Sequence, residues 1–276
     1  MKAIVFLGGG RITSALIAGL RLAKFRQPIL VHDRHPEKLQ QLRRRYGVMV
    51  EADLLRALAS AQLLIVAVRP DAVGRLLKEI GPHIRRDVAA VSLAAGIPLA
   101  KLRTGLGPPV RWARAMPSPA CRSGRGLTAL TFGPNLPPPA RSKVRTLFAA
   151  VGQVVEIPEG RFDAFTVTFS SSHGYHALAT LIAAAESIGL DRKTARLAAA
   201  HALADGIAAW REGNIPLHEL LREAATPGGT AAAVMASLDG AGYQRMVVQG
   251  LRAGLRQARK NGNQRTAASA PGVRTK

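Results

Sequence analysis

The chain has 276 residues, 47% of them hydrophobic and 20% charged, enough apolar material for a sizeable core and incompatible with disorder throughout. Its 39 Lys and Arg against 17 Asp and Glu give a net charge of +22, yet aromatic residues make up only 4%, so stacking platforms for single-stranded nucleic acid are scarce. A single cysteine, Cys121, excludes an intramolecular disulfide and any cysteine-built metal centre.

No apolar run reaches the roughly 18 residues of a membrane span, and the N-terminal apolar segment is too short for a signal peptide, so a cytoplasmic protein is expected. The charge has three readings: a grip on nucleic acid or an anionic membrane, attraction of a small anionic ligand, or an Arg-rich compositional bias. With no zinc-finger spacing and no basic heptad region, small anionic ligands on an Arg-rich background are favoured. Neither nucleic acid nor a membrane is expected as a partner. A polyanion would find its contacts in the acid-free stretch after Asp239, with Arg245, Arg252, Arg256 and Arg259.

Lys2 to Leu7 reads as a strand that stops at Gly8-Gly9-Gly10, and Ile12, Leu16, Ile17 and Leu20 then follow a helical period. Strand, glycine turn and helix together form a cradle for a pyrophosphate: Gly8 allows the tight turn, Gly10 lets backbone approach, and Arg11 and Ile12 open the helix at its positive end. Thr13 holds the third glycine place of the dinucleotide fingerprint, so the helix must pack around a branched side chain. A second strand, Ile29 to His32, leads to Asp33, about twenty residues beyond the turn, where such folds meet the adenosine ribose. Asp33 could accept ribose hydroxyls or simply close a turn, and Arg34 and His35 add charge suited to a 2'-phosphate. The neighbouring cations tilt the choice between NADH and NADPH toward NADPH.

Alternation continues with helices at Pro36 to Tyr46 and Asp53 to Ser60, then Leu63 to Val68, an unbroken apolar run of the kind buried parallel strands show. Arg69-Pro70 ends it. Helix Asp71 to Ile80, strand Val88 to Leu93, a short helix near Leu99, strands at Val110 to Ala113 and Leu127 to Phe132, a proline-opened helix to Ala150 and strand Gln153 to Ile157 complete residues 1–158. The fold class is α/β, a Rossmann-type doubly wound sheet followed by an all-α helical dimerisation domain. That second domain, residues 159–260, carries helices expected at Phe162 to Ile188, Arg192 to Arg211, Leu217 to Glu223, Ala231 to Leu238 and Tyr243 to Arg259. Small residues on several of their faces suit close packing against another copy of the chain. Residues 261–276 lack apolar periodicity and read as a basic, disordered tail.

The ordered series Val66-Ala67-Val68-Arg69-Pro70, Ser92-Leu93-Ala94-Ala95-Gly96, Arg114-Ala115-Met116-Pro117, Gly126-Leu127-Thr128-Ala129, Phe162-Asp163-Ala164 and Thr226-Pro227-Gly228-Gly229-Thr230 resembles the pyrroline-5-carboxylate reductase family. The resemblance implies an NAD(P)H-dependent enzyme of proline synthesis that transfers hydride to the C=N bond of a cyclic imino acid, active as a homodimer or larger homo-oligomer. It places Ala67, Val68, Arg69, Pro70, Ala94 and Ala95 along the cofactor, and it assigns the substrate carboxylate to the loop of Thr226, Gly228 and Gly229. Thr230, Ser171 and His173 are the candidate catalytic residues, as hydroxyl or imidazole donors toward the imine nitrogen. No side-chain spacing indicates a metal.

Several positions depart from the family pattern. Ala231 stands where a second threonine is usual, and Phe169-Ser170-Ser171-Ser172-His173-Gly174-Tyr175 replaces a segment in which glycines alternate with serines. An Asn-Thr pair shortens to Ser118, and Leu181 takes the place of a glutamate. Two accounts fit: reduction of the family's imine or a related one with Ser171, Ser172 or His173 as replacement donor, or a catalytically impaired dinucleotide-binding dimer with a regulatory role. The bland alternatives are interface histidines at His173 and His176, an N-cap at Thr230 and a helix start at Ser170 to Ser172.

Overall fold

The computed structural model describes residues 2–85, 87–106 and 110–263. In chain order the elements are β1 (Ala3–Leu7), α1 (Arg11–Leu22), β2 (Ile29–His32), α2 (Pro36–Tyr46), β3 (Met49–Val50), α3 (Leu54–Ala59), β4 (Ala61–Val66), α4 (Pro70–Ile80), β5 (Ala89–Ser92), α5 (Leu99–Leu106) and β6 (Arg111–Pro117). A 3-10 turn (Pro119–Ser123) precedes β7 (Gly126–Phe132), α6 (Pro138–Ala149), β8 (Gly152–Glu156) and α7 (Glu159–Thr168). The remaining helices are α8 (Ser172–Ser187), α9 (Arg192–Glu212), α10 (Leu217–Ala224), α11 (Thr230–Gly240) and α12 (Tyr243–Asn263).

The eight strands form one sheet in the order β3-β2-β1-β4-β5-β6-β7-β8, parallel except for the β6–β7 pair. Strand alternation sends Ile4 and Phe6 of β1 and Leu63 and Ile65 of β4 to one face, and Val5, Leu7, Leu64 and Val66 to the other. Both faces are covered, which is why β4 reads as continuous apolar sequence rather than as alternation. The chain leaves β1 toward β2 on one side and returns to β4 on the other. The switch point of the doubly wound sheet therefore lies between β1 and β4, where Leu7 pairs with both His32 and Val66.

Several boundaries differ from the periodicity. The strand expected through Val68 ends at Val66, because Arg69 is the N-cap of α4 and Pro70 its first residue. The strand expected to stop at Ala113 runs to Pro117, extended by its antiparallel register with β7. The single helix expected over Phe162 to Ile188 is two, α7 and α8. Between them the Ser170 and Ser172 hydroxyls bond each other at 2.7 Å, a local arrangement that competes with helical continuation.

The chain divides into two compact units, one running up to Phe169 and resuming at Ala253, the other Ser170–Arg252. The sheet unit thus includes α7, which the sequence groups with the later helices. The reason is Arg114 of β6: its guanidinium, buried at 1% exposure, donates to Glu159 (2.9 Å) and Asp163 (2.8 Å) and lies 4.2 Å from the centre of the Phe162 ring. In the helical unit α8 packs on α9, yet Ala195 and Ala199 are its only buried apolar residues. Ile188, Leu197, Ile207, Trp210, Val234 and Met246 stay exposed. A helical unit with so little core of its own needs a second surface to cover it. α12 continues to Asn263, past the expected start of the tail, and residues 264–276 lie outside the described residues. Among the described residues no helix is long and apolar enough to cross a membrane, and no cluster of side chains could hold a metal ion.

Candidate functional site

A cleft of about 1370 Å³ opens at the carboxyl edge of the sheet, over the switch point. The glycine turn forms its floor. Gly8 has φ +112°, and a Cβ there would lie 2.7 Å from the Ala67 carbonyl oxygen, so only glycine lets the turn after β1 pass this close to the turn after β4. A Cβ added at Gly10 would meet nothing within 4 Å, which leaves the approach to α1 clear. Gly10 is also the N-cap of α1 and brings no side-chain hydrogen bond, so the amides of the first turn, from Arg11 onward, are available to an anion.

Thr13 explains how the loop manages without a third glycine. Its side chain is fully buried and its hydroxyl donates to the Gly8 carbonyl at 2.6 Å, so the branched residue locks the turn instead of crowding it. Asp33 locks it from the other side. One carboxylate oxygen accepts the Gly9 amide at 2.7 Å, and the other accepts the His35 amide at 2.9 Å and faces His35 Nδ1 at 2.8 Å. Burial opposes ionisation of Asp33, but the hydrogen bonds from Gly9 and His35, with the charge of Lys38 3.9 Å away, outweigh it and hold the carboxyl below its ordinary range. Both oxygens are thus committed to the loop. Of the two roles the sequence leaves open for Asp33, the turn-closing one has the hydrogen bonds.

Around this floor the walls are cationic. Arg34, His35 and Lys38 stand at the end of β2 and the start of α2, while Arg69 and Arg75 come from the β4 turn and α4. Asp33 and Glu79 are the acids of the lining, and Leu54, Val68, Ala72 and Leu76 give one side an apolar wall. An elongated polyanion carrying a planar ring matches this combination. Of the cofactor residues expected from the sequence, Gly8, Gly10, Arg11, Asp33, Arg34, Ala67, Val68 and Arg69 line the cleft. Ile12, Pro70, Ala94 and Ala95 do not: Ile12 packs on the core, Pro70 starts α4, and Ala94 is 3% exposed within the opposite core face.

Lys38 and Arg75 escape the sequence reading, although the signals exist. Lys38 lies three residues after His35 on one helix face, and Arg75 one turn beyond Ala72. The Arg114 knot has a clearer mark, a cation flanked by Ala113 and Ala115 within a buried strand, with Glu159 and Asp163 at helical i,i+4 spacing. Cys121 is fully buried, and burial pushes its thiol up to about 11, so it is no nucleophile near neutral pH.

The helical unit holds the other candidates. Ser171 is the N-cap of α8 without a side-chain cap bond, and Ser171 and His173 are exposed. The Thr226 carbonyl accepts the Gly229 amide at 2.9 Å to close a turn, with Gly228 at φ +75°. Gly229, not Thr230, is the N-cap of α11, so the capping role considered for Thr230 does not hold: Thr230 is the first helical residue, and its hydroxyl is not spent on a cap. The amides that open α11 lack a side-chain cap and are suited to a carboxylate.

Two family models match the chain. One, described as NADP oxidoreductase coenzyme F420-dependent, covers residues 3–96, and one described as pyrroline-5-carboxylate reductase dimerisation covers residues 159–261. The pyrroline-5-carboxylate reductase of Corynebacterium melassecola is 32% identical over 250 residues, 88% of this chain and 93% of that protein. That of Mycobacterium tuberculosis is 32% identical, covering 90% of this chain and 92% of the other. Among solved structures, the Plasmodium falciparum pyrroline carboxylate reductase with NADP bound superposes with a TM-score of 0.84 at 20% identity, over 95% of this chain and 98% of that one. This last likeness is one of fold.

Proposed function

The chain belongs to the pyrroline-5-carboxylate reductase family, and on that premise we propose that it is an NAD(P)H-dependent reductase of a cyclic imino acid, 1-pyrroline-5-carboxylate or a close relative. The observation that carries the reading is the cleft itself: an open glycine turn on an uncapped helix, ringed by cations at the switch point. The names of the relatives support the reaction, and the match of residues 159–261 to a dimerisation family model, together with the exposed apolar helices, supports a homodimer. The cytoplasm is its proposed location, where the single thiol stays reduced.

A dinucleotide fits the residues present. The amides of Arg11 and its neighbours would hold the pyrophosphate, and Arg34, His35 and Lys38 the 2'-phosphate, so NADPH is favoured over NADH. When bound, the reduced nicotinamide supplies a hydride to the imine carbon. The protein's own tasks are binding and protonation. Amides of the Thr226 to Thr230 loop, Gly228 and Gly229 above all, take the substrate carboxylate. Thr230, with Ser171 or His173, would donate a hydrogen bond to the lone pair of the unprotonated imine nitrogen, polarising the C=N bond and delivering the proton that the amine product carries. Ala231 cannot donate there, which favours a second reading, a dinucleotide-binding dimer without turnover.

The test is oxidation of NADPH and of NADH by purified protein over a panel of cyclic imino acids. Turnover that falls on Thr230→Ala and His173→Ala supports the reductase. Tight NADPH binding with no turnover on any imine selects the second reading, and absence of nucleotide binding overturns both.

A further inference from the structure

We propose that the C-terminal end of α12, from Ala253 to Asn263, is a positioning clasp for the turn after β5 and thereby for the nicotinamide end of the cleft; the proposal rests on the reductase reading above. A dinucleotide laid along the carboxyl edge would begin at Arg34, just past β2, and cross the glycine turn and Ala67-Val68. The next strand in that direction is β5. Its continuation is tied to the cleft wall, since Leu93 donates to the Val66 carbonyl at 2.9 Å and Ala94 to the Ser92 hydroxyl at 3.2 Å. On the reductase reading the reacting ring would lie past Ala67-Val68, toward the turn after β5, whose Ala94 and Ala95 stand outside the cleft lining and would act on it through the wall.

That turn is held from behind by α12. Gly96 has φ +75°, and a Cβ there would penetrate the Ala258 carbonyl. A Cβ on Gly262 would lie 2.8 Å from the Gly96 carbonyl oxygen and 3.5 Å from Pro98. Lys101, on the helix that follows the turn, donates to the Gly262 carbonyl at 2.9 Å. One more turn back, a Cβ on Gly254 would lie 3.1 Å from Val167 of α7. Gly254, Ala258 and Gly262 recur every four residues and so share one face of α12. At Ala258 and Gly262 backbone rests on backbone, with no flexible side chain between to absorb a shift, so a displacement of this end of α12 must move the turn. Gly262 and Lys101 are positioning residues in this scheme.

The experiment uses the full chain with Gly262→Val and, separately, Lys101→Met. NADPH affinity and kcat should fall on the order of tenfold or more, as expected when a reacting group is held slightly out of place, while KM for the imine changes little. The 2'-phospho-ADP-ribose fragment, which lacks nicotinamide, should bind within about twofold of the unsubstituted protein. Amides of Ala95 and Gly96 should exchange hydrogen faster. Unchanged NADPH affinity and exchange overturn the clasp, as does an equal loss for the fragment, which would signify general loosening. If the unsubstituted protein binds NADPH but reduces no imine, the reductase reading fails while affinity and exchange still decide the clasp.

Discussion

Asp33 is the residue whose replacement separates two roles most cleanly. In the structure its carboxylate takes the Gly9 amide on one oxygen and the His35 amide and ring on the other, with the side chain 10% exposed. Asp33→Asn keeps the shape but removes the charge, and it turns an amide NH2 toward a donor that was satisfied. Hydrogen bonds to a charged group contribute about 1.5–3 kcal/mol each against roughly 1 for neutral ones, so losing two such advantages should cost roughly 1–4 kcal/mol. For a chain of this size that is a fall in Tm of roughly 2–16 °C. Because the Asp33 carboxyl is held below its ordinary range, its contribution is present at neutral pH and disappears as pH falls through the lowered value, so the gap between variant and parent should close in acid. As a strut for the glycine turn, Asp33 should weaken NADPH and NADH alike when replaced, measured by titration of nucleotide fluorescence. Selective loss of NADH with NADPH spared and Tm unchanged would refute the strut and restore the ribose role.

Gly19→Ala should destabilise, since the added Cβ would run into the Cys121 carbonyl; overpacking of about 1–3 kcal/mol, less up to ~1 regained in helix propensity, would show in urea denaturation. Arg114→Met leaves Glu159 and Asp163 without their buried cation and should cost about 3 kcal/mol, the low end for a broken buried pair because both carboxylates keep partial exposure, again read from the urea midpoint. Cys121 should resist a thiol-specific disulfide reagent until the chain unfolds, and one equivalent should then react. Its raised thiol adds stability at neutral pH that is lost as pH climbs from the ordinary value near 9 toward about 11, which a pH series of melting curves would register. Fast reaction of the native thiol would contradict its burial.

Much of the site was legible because its chemistry is local. Gly8 and Gly10 lie on either side of one residue, and Asp33 follows β2 directly, so the cradle could be read from spacing alone. The helix ends were legible for the same reason: Pro36 and Pro70 open helices wherever they occur after a strand. What stayed hidden depended on distant partners. In sequence Thr13 is a defect in the fingerprint; in the fold its hydroxyl donates to the Gly8 carbonyl. Arg114 stands in sequence as one residue of a motif, and its two carboxylate partners lie 45 and 49 residues away.

The amino-acid order alone settled the doubly wound class and the place of the glycine turn, because period-two and helical apolar patterns and glycine's backbone freedom act within a few residues. Tertiary structure decided where the Asp33 carboxylate finds its hydrogen bonds, which strand the carboxylates of α7 pair with and what Gly96 rests on. Those outcomes turn on which groups meet across the fold, where a buried charge must find its counter-charge and two backbones can touch only at glycine.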